Sequence, residues 1–368
     1  MTHISRRRFT TLLLAGTAIA ALGAPAVLAD EPRKIVFLVN GNLGDKSYFD
    51  LGAIGMEQIK AKYGDAVETK VFEMGTDQTK WLATFQDASE GDWDVIVGCT
   101  FEISDIINEI APQYPDKTYI LIDGIAAYDQ GDYGNVYSVT FNQNEGSYLA
   151  GILAAGLIAD GTIPADWGKN IGFLGGMDIP VINDFLVGYI EGARSVTPDI
   201  KVAIAYAGSF NDAAKGKELA LAQYRAGTSI GFNVAGLTGL GQLAAAKEAG
   251  RYALGVNSDQ EAIFKETDPE MAAKVASSML KKVDVTLLRA FDLFVEGKLP
   301  VGKVESIGLK EDAVGLVETG NMATLASDEL KGRIAAARAG IIDGSIKVSS
   351  GFALGQDDLN ALRDAVRP

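Results

Sequence analysis

Short apolar segments alternate with helical patterns along almost the whole chain. The segments of strand length are 34–39, 94–98, 118–122, 136–141, 170–174, 202–206, 230–235 and 252–256. Between them, apolar residues recur at helical spacing in 49–63, 79–88, 103–111, 146–158, 184–195, 213–226, 241–249 and 271–296. Strands that alternate with helices in this way form βαβ units, whose parallel sheets are covered by helices on both faces. The pattern therefore predicts an α/β protein.

Two parts of the chain resemble each other, and each would begin one lobe. Residues 35–38, a glycine-bearing loop and a helix with Phe49 correspond to residues 171–176, a loop and a helix with Phe185. We predict two doubly wound parallel-sheet lobes joined by a hinge, because a chain of 368 residues exceeds one typical domain. The expected lobes are 30–142 with about 257–303, and 143–256 with about 304–368, and the expected hinge strands lie near 136–142, 252–257 and 304–309.

The N-terminus is typical of an export signal. A basic segment with Arg6, Arg7 and Arg8 precedes an apolar stretch, and small residues end at Ala29. This order predicts a signal peptide of twin-arginine type over residues 1–29. We expect a soluble periplasmic protein without a lipid anchor, since no cysteine follows the cleavage site.

The composition of the chain limits the kinds of ligand and reaction that it can support. The formal charge of −15 becomes −18 when Arg6, Arg7 and Arg8 leave with the signal, which argues against nucleic acid as a partner. The only histidine, His3, is lost with the same segment, and the only cysteine, Cys99, ends an apolar run and is expected in the core. We therefore expect no metal site, no cofactor and no catalytic residues. An enzyme that processes sugars through paired carboxylates stays open as an alternative.

The loops that follow the predicted strands carry the candidate chemistry. Ligands of open parallel sheets bind beyond the carboxyl ends of the strands, which face each other across the cleft of a two-lobed protein. Asp45, Asp123 and Asp259 lie in such loops and could accept hydrogen bonds from sugar hydroxyls, although each could instead cap a helix. Lys281, on the predicted helix 271–296, could hold a vicinal diol together with an aspartate, or could simply face solvent.

Aromatic residues and glycines occur in the same loops. Phe101 and Phe210 could enclose a flat base or could cover the core. The loop that begins at Gly236 lacks the spacing of a phosphate-binding loop, so it is either a tight turn or a place where the backbone approaches a ligand closely.

Several of these loops together resemble one known family. The opening Asp45-Lys46-Ser47-Tyr48-Phe49 with Gly55 is similar to the D-x-S-F-N motif of the basic membrane protein family, the PnrA-like nucleoside-binding proteins of ABC importers. Further matches follow in family order at 145–151, 172–180, 208–212, 235–241, 255–260 and 278–284.

The resemblance implies a type I periplasmic-binding-protein fold and a set of ligand contacts. An aspartate and a lysine that hold the ribose would be Asp259 and Lys281, and a further aspartate would be Asp123. The stacking phenylalanine would be Phe210, and the loop glycine Gly236. The other residues expected at the ligand through the matched motifs and loops are Asp45, Ser47, Tyr48, Phe101 and Asn257.

The chain also departs from the family pattern in places that concern the base. Phe49 stands where the family has asparagine, and Asn257 stands where it has the first aspartate of G-V-D-x-D-Q. Ala53 stands where the family often has an aromatic residue, two positions before Gly55, so the aromatic residue that completes the base sandwich is left open.

The sequence thus predicts a periplasmic substrate-binding protein that closes on a nucleoside, with a purine as first choice, and delivers it to an ABC permease of the inner membrane. We expect a monomer. A free purine base, another small aromatic or sugar-like solute, or a sensory role in place of transport are the alternatives.

Overall fold

The structure, a computed structural model that describes residues 31–368, contains two six-stranded sheets. The strands are β1 (Arg33–Val39), β2 (Val67–Glu73), β3 (Val95–Cys99), β4 (Thr118–Ile122), β5 (Val136–Phe141), β6 (Asn170–Gly175), β7 (Val202–Tyr206), β8 (Thr228–Val234), β9 (Tyr252–Asn257), β10 (Val275–Lys281), β11 (Lys303–Ile307) and β12 (Val314–Leu316). The first sheet has the order β11-β5-β4-β3-β1-β2 and the second β12-β10-β9-β8-β6-β7. All neighbours are parallel except β10 and β12.

Helices cover both faces of each sheet. They are α1 (Tyr48–Tyr63), α2 (Trp81–Glu90), α3 (Ser104–Ile110), α4 (Gln143–Ala159), α5 (Pro180–Val196), α6 (Ala213–Arg225), α7 (Leu237–Ala249), α8 (Gln260–Phe264), α9 (Pro269–Ala272), α10 (Val283–Val295), α11 (Gly320–Leu325), α12 (Asp328–Asp343) and α13 (Gln356–Ala365). The predicted α/β class with two doubly wound lobes is confirmed. The predicted signal peptide lies outside the described residues. Within residues 31–368, no helix combines the length and apolarity needed to cross a membrane.

The structure corrects the predicted helix over 271–296. Residues 275–281 form strand β10, between the short helix α9 and the helix α10. Strand β10 lies between β9 and β12 and is buried on both faces, so its sequence lacks the alternation that marks a half-buried strand. The edge strands β2 and β12 were also missed, because β2 is charged and largely exposed and β12 has only three residues. Strand β11 lies where a hinge strand was expected, near 304–309.

The sheet pairing corrects the expected division into lobes. Strand β10 belongs to the second sheet and β11 to the first, the reverse of their expected assignment. Helix α10 then packs on α1, in the first lobe. The chain therefore crosses between the lobes after β5, after β10, and between β11 and β12. The second crossing lies near residue 282, whereas we expected it near 252–257.

Hydrogen bonds tie the three crossings together. The amide of Asn142 donates to the carbonyl of Ile307 (2.8 Å), and the amide of Lys282 donates to the carbonyl of Ala313 (2.9 Å). The Glu145 carboxylate accepts the amide of Leu309 at 2.8 Å. These bonds join the crossings side by side, so the hinge is one connected strip at the β11 and β12 edges of the sheets.

The C-terminal segment braces the helix that forms one wall of the cleft. Arg363 of α13 donates to Asp178 (2.6 Å), just before α5. On α5 itself, the buried Asp184 carboxylate accepts from the hydroxyl of Ser350 (2.8 Å) and the amide of Gly351 (2.7 Å). Burial raises the pKa of Asp184 to about 6. The start of α5 is thus held from behind by residues far away in sequence.

Helices α4 and α5 approach so closely that glycine is required at their contact. A Cβ added to Gly151 would lie 2.2 Å from the carbonyl oxygen of Tyr189, and one added to Gly192 would lie 1.9 Å from that of Tyr148. These are backbone atoms, which cannot rotate away as a side chain could. The packing of the second lobe therefore depends on these glycines.

We predict that Gly192→Ala lowers the free energy of unfolding by about 1–3 kcal/mol, because overpacking forces the two helices apart. The matched control is Gly332→Ala, at an exposed position of α12 with no atom near an added Cβ, which should raise stability by about 0.5–1 kcal/mol. Urea unfolding of both variants checks the contrast. Equal effects of the two substitutions would contradict the close approach of α4 and α5.

Candidate functional site

The carboxyl ends of the strands in the two sheets face one cavity between the lobes. The cavity encloses about 890 Å³, part of it continuous with solvent. It is lined by loops that follow β1, β3, β4, β7 and β8, by the last residues of β9 and β10, and by the first turns of α1 and α5. This is the edge where parallel α/β sheets bind ligands, because the loops that leave the strands converge there.

Most of the residues singled out from the sequence line this cavity. Those that do are Asp45, Tyr48, Phe101, Asp123, Phe210, Gly236, Asn257 and Lys281. Ser47 and Asp259 are not among the lining residues. Ser47 lies beneath the surface, where its hydroxyl accepts a hydrogen bond from the Asn257 amide nitrogen at 2.8 Å.

An ion pair between Asp123 and Lys281 joins the two lobes inside the cavity. Asp123 follows β4 of the first sheet, Lys281 ends β10 of the second, and the ammonium group donates directly to the carboxylate. Only 3% of the lysine side chain and 9% of the aspartate side chain are exposed. The ammonium also lies 4.9 Å from the ring centre of Phe141 and 5.5 Å from those of Tyr48 and Phe185. Aromatic faces stabilise a cation, so Lys281 is held by charge and by these rings.

The structure therefore overturns the expected surroundings of Lys281. We expected this residue on a helix and paired with Asp259. It lies instead at the end of a central strand, because the pairing of Leu280 with Asn257 places it beside the end of β9. Its partner is Asp123. This residue directly follows Ile122, and Ile122 pairs with Cys99 at the carboxyl ends of β4 and β3 in the first sheet.

Asp259 caps a helix, which is the alternative that the sequence left open. Its carboxylate accepts the amide of Ala262 at 3.1 Å, at the start of α8. The residue that reaches the cavity from this loop is Asn257, whose side-chain oxygen is buried and has no hydrogen-bond partner among the described residues. An unpartnered buried acceptor carries an energetic penalty, which a ligand donor would remove.

Asp45 holds the start of a helix and also lines the cavity. Its carboxylate accepts the amides of Ser47 (3.0 Å), Phe49 (3.0 Å) and Asp50 (3.2 Å), which are unsatisfied donors at the start of α1. Burial raises its pKa, while these three amides act in the opposite direction. The same residue lines the cavity. Asp45 therefore fixes the loop that carries the two aromatic residues of α1 into the site.

Three residues at strand ends hold left-handed backbone conformations. Thr100 after β3 has a φ of 69°, Asp123 after β4 has 60°, and Asn257 at the end of β9 has 65°. Residues other than glycine adopt this region at a cost of roughly 1–3 kcal/mol, and such strain concentrates at functional sites. All three line the cavity.

Aromatic rings enter the cavity from both lobes, each over a glycine. The Phe210 ring occupies the space of a Cβ at Gly176, 2.3 Å away, and the Phe49 ring occupies that at Gly41, 2.6 Å away. Because glycine has no Cβ, both rings can lie against the backbone. Phe101, which is 43% exposed, lies at the outer part of the cavity.

Several lining residues were not singled out from the sequence. They are Asn40, Phe49, Thr100, Glu102, Ile179, Val181, Ile182, Phe185, Asn211, Val234, Ala235, Leu237 and Val256. All of them lie in or next to the post-strand loops, so extending each loop by one helical turn would have found most of them. Glu102 and Asn40 stand out by chemistry, since the Asn40 amide nitrogen donates to the Glu102 carboxylate at 3.2 Å.

The arrangement suits binding. Cys99 is fully buried, as expected, and burial raises the pKa of its thiol far above the range of a nucleophile. Residues 31–368 contain no group of three His, Cys, Asp or Glu that could hold a metal ion. The cavity offers carboxylates and amides for hydroxyl or amino groups, one buried cation, and aromatic rings for a flat apolar group.

Comparison with known proteins gives the family. Residues 33–348 match the family described as ABC transporter substrate-binding protein PnrA-like. This chain belongs to that family. The predicted resemblance to the basic membrane proteins is thus confirmed.

Individual relatives agree with this assignment. The ABC transporter nucleoside-binding protein BmpA of Lactococcus lactis is 35% identical over 73% of this chain and 75% of its own length. Basic membrane protein A of Borreliella burgdorferi is 29% identical over 84% of this chain and 87% of its own. An ABC transporter solute-binding protein from Aeropyrum pernix superposes with a TM-score of 0.77 at 26% identity, covering 91% of this chain and all (100%) of the other.

We predict that Asp123→Ala lowers the free energy of unfolding by about 3–5 kcal/mol, because it leaves the Lys281 ammonium buried without its counter-charge. Asp259→Ala also removes an aspartate side chain, but from a helix cap, and it should lower the free energy of unfolding by only about 1 kcal/mol. Chemical denaturation of the two variants at pH 7 measures the difference. A larger loss of unfolding free energy for Asp259→Ala than for Asp123→Ala would contradict the ion pair of Asp123 and Lys281, and would favour the pairing of Lys281 with Asp259 that the sequence suggested.

Proposed function

We propose that this protein is the nucleoside receptor of an ABC importer and that it acts by closing its two lobes on the ligand. The observation that carries the proposal is that the cavity has an ion pair and an unpartnered amide oxygen at its hinge end, and at its other end two aromatic rings that lie over glycines of opposite lobes. A nucleoside has the same division, since a ribose with several hydroxyls is joined to a flat base.

The order of the strands defines these two ends. Counting from the hinge edge, β10 is second in its sheet, and β4 and β9 are third in theirs. These strands carry Lys281, Asp123 and Asn257, which offer one cation, one carboxylate and one unpartnered amide oxygen. Such groups can hold the hydroxyls of a ribose from both lobes. Their hydrogen bonds to a diol would be charge-assisted in the first two cases.

The aromatic end lies further from the hinge. Strands β1 and β6 are both fifth from the hinge edge, and the glycines that follow them carry the rings of Phe49 and Phe210. One ring thus comes from each lobe at the same distance from the hinge. We propose that these two rings enclose the base. Phe49 replaces the asparagine of the family motif, and we assign it the second side of the sandwich that the sequence left open.

Transport requires an extracytoplasmic receptor and a permease. The membership of the family supports an extracytoplasmic substrate-binding protein, and the predicted signal peptide supports export to the periplasm. The name of the Lactococcus lactis relative, which describes a nucleoside-binding protein, supports the ligand class. A permease of the inner membrane is the proposed partner.

We predict that ligand-free protein binds ribonucleosides in titration calorimetry and that two variants weaken binding in different ways. Asn257→Ala should lower the affinity for ribonucleosides about 2- to 10-fold, because it removes an acceptor for a hydroxyl. It should change the affinity for 2′,3′-dideoxynucleosides little. Phe210→Ala should lower the affinity for all nucleosides alike, by about 5- to 150-fold, because stacking does not distinguish hydroxyls.

Asp259→Ala is the control for these titrations, since it removes a carboxylate from the same loop but not from the cavity. Its affinities should equal those of the wild type. If free bases bind as tightly as nucleosides, the ribose site is wrong and a receptor for free bases replaces the proposal.

We predict that saturating nucleoside reduces the radius of gyration in solution scattering, because rotation about the hinge brings Phe49 and Phe210 together. These rings lie far from the hinge strip and so move more than Asp123 and Lys281. Phe210→Ala, measured at saturation, serves as the comparison and should close less completely. An unchanged profile for the wild type at saturation would argue against closure.

A further inference from the structure

One carboxylate in the cavity has no part in the ribose site. Glu102 follows β3, fourth from the hinge edge, and lines the cavity next to Asn40, which follows β1. It therefore lies beyond Asp123 in the direction that leads away from the hinge. Its neighbour Asn40 follows β1, the fifth strand, at whose end the ring of Phe49 enters, and Phe210 enters at the corresponding strand of the other sheet.

Neighbouring amides fix the orientation of this carboxylate. The amide nitrogen of Gln78 donates to one oxygen at 2.9 Å, and that of Asn40 donates to the other at 3.2 Å. Asn40 is itself held, since its amide nitrogen also donates to Thr100 (2.8 Å) and its oxygen accepts from the thiol of Cys99 (3.3 Å). Asn40 is only 5% exposed, so one of the two amides that hold the carboxylate belongs to the buried part of the structure.

The carboxylate retains acceptor capacity for a ligand. Two carboxylate oxygens offer about four acceptor positions, and the two amides occupy one on each oxygen. No cation of the described residues lies within ion-pair distance of Glu102, whereas Asp123 has Lys281. Glu102 therefore presents free acceptors, without any donor, to whatever occupies the outer part of the cavity.

We infer that Glu102 selects the base of the ligand, favouring nucleosides whose base presents a ring N–H donor to it, guanosine foremost because an amino group adjoins that N–H, and inosine next. This inference rests on the proposed nucleoside function. Guanine offers a ring N–H and an adjacent amino group, which match the two oxygens of a carboxylate. Hypoxanthine offers the ring N–H alone. Adenine places a ring nitrogen lone pair beside its amino group, and that lone pair faces the carboxylate unfavourably.

The test compares guanosine, inosine, adenosine and cytidine on ligand-free wild type and on Glu102→Gln by titration calorimetry. Replacing one oxygen with an amino group removes an acceptor and adds a competing donor. Guanosine should lose about 10- to 150-fold in affinity, the range for hydrogen bonds to a charged group. Adenosine should change by less than about threefold. The ratio of the two affinities is the decisive readout, because general loosening of the loop would weaken both ligands equally.

Glu109→Gln is the matched control, an identical change at an exposed position of α3 outside the cavity, and it should bind as the wild type does. If the wild type prefers adenosine to guanosine, or if Glu102→Gln lowers both affinities by the same factor, the inference is overturned while nucleoside binding stands. If the wild type binds none of the four, the proposed function fails together with the inference.

Discussion

The buried ion pair of Asp123 and Lys281 is the contact on which the geometry of the cleft depends. An ammonium group this deeply buried is tolerable only with a counter-charge and aromatic faces around it, and the structure supplies both. Its two partners come from different sheets, so satisfying the charge requires the two lobes to meet at one point beside the hinge.

Close backbone approach is the second constraint. Gly151 and Gly192 let α4 and α5 touch, and α5 then places its first turn in the wall of the cavity. The same device recurs inside the cleft, where Gly41 and Gly176 leave room for aromatic rings. Because glycine has no side chain at these positions, each large ring can pack against the backbone on one face and stay open to the cavity on the other.

The two lobes share an arrangement and differ in chemistry. Strands β1 and β6 occupy the same place in their sheets, as the similarity between residues 35–38 and 171–176 indicated. The first lobe contributes the carboxylates Asp123 and Glu102 at successive strand ends, while the second contributes Lys281 and Asn257. A ligand held between them would meet acceptors mainly on one side and the cation on the other, so its orientation in the cleft is defined.

The sequence by itself determined the α/β class, the two lobes, the family and eight of the 21 lining residues, because these follow from local patterns: apolar runs, post-strand loops and contiguous motifs. Only the tertiary structure decided which residues pair. Strand β10 carries no alternation, since both of its faces are buried, and the sequence pattern therefore merged it with α10 and assigned Lys281 to a helix. Asp259 and Asn257 are two residues apart in one loop, and the left-handed turn at Asn257, with a φ of 65°, decides which of them faces the cavity. Glu102 and Asn40 come together across neighbouring strands, a relation set by sheet order and invisible to any single motif.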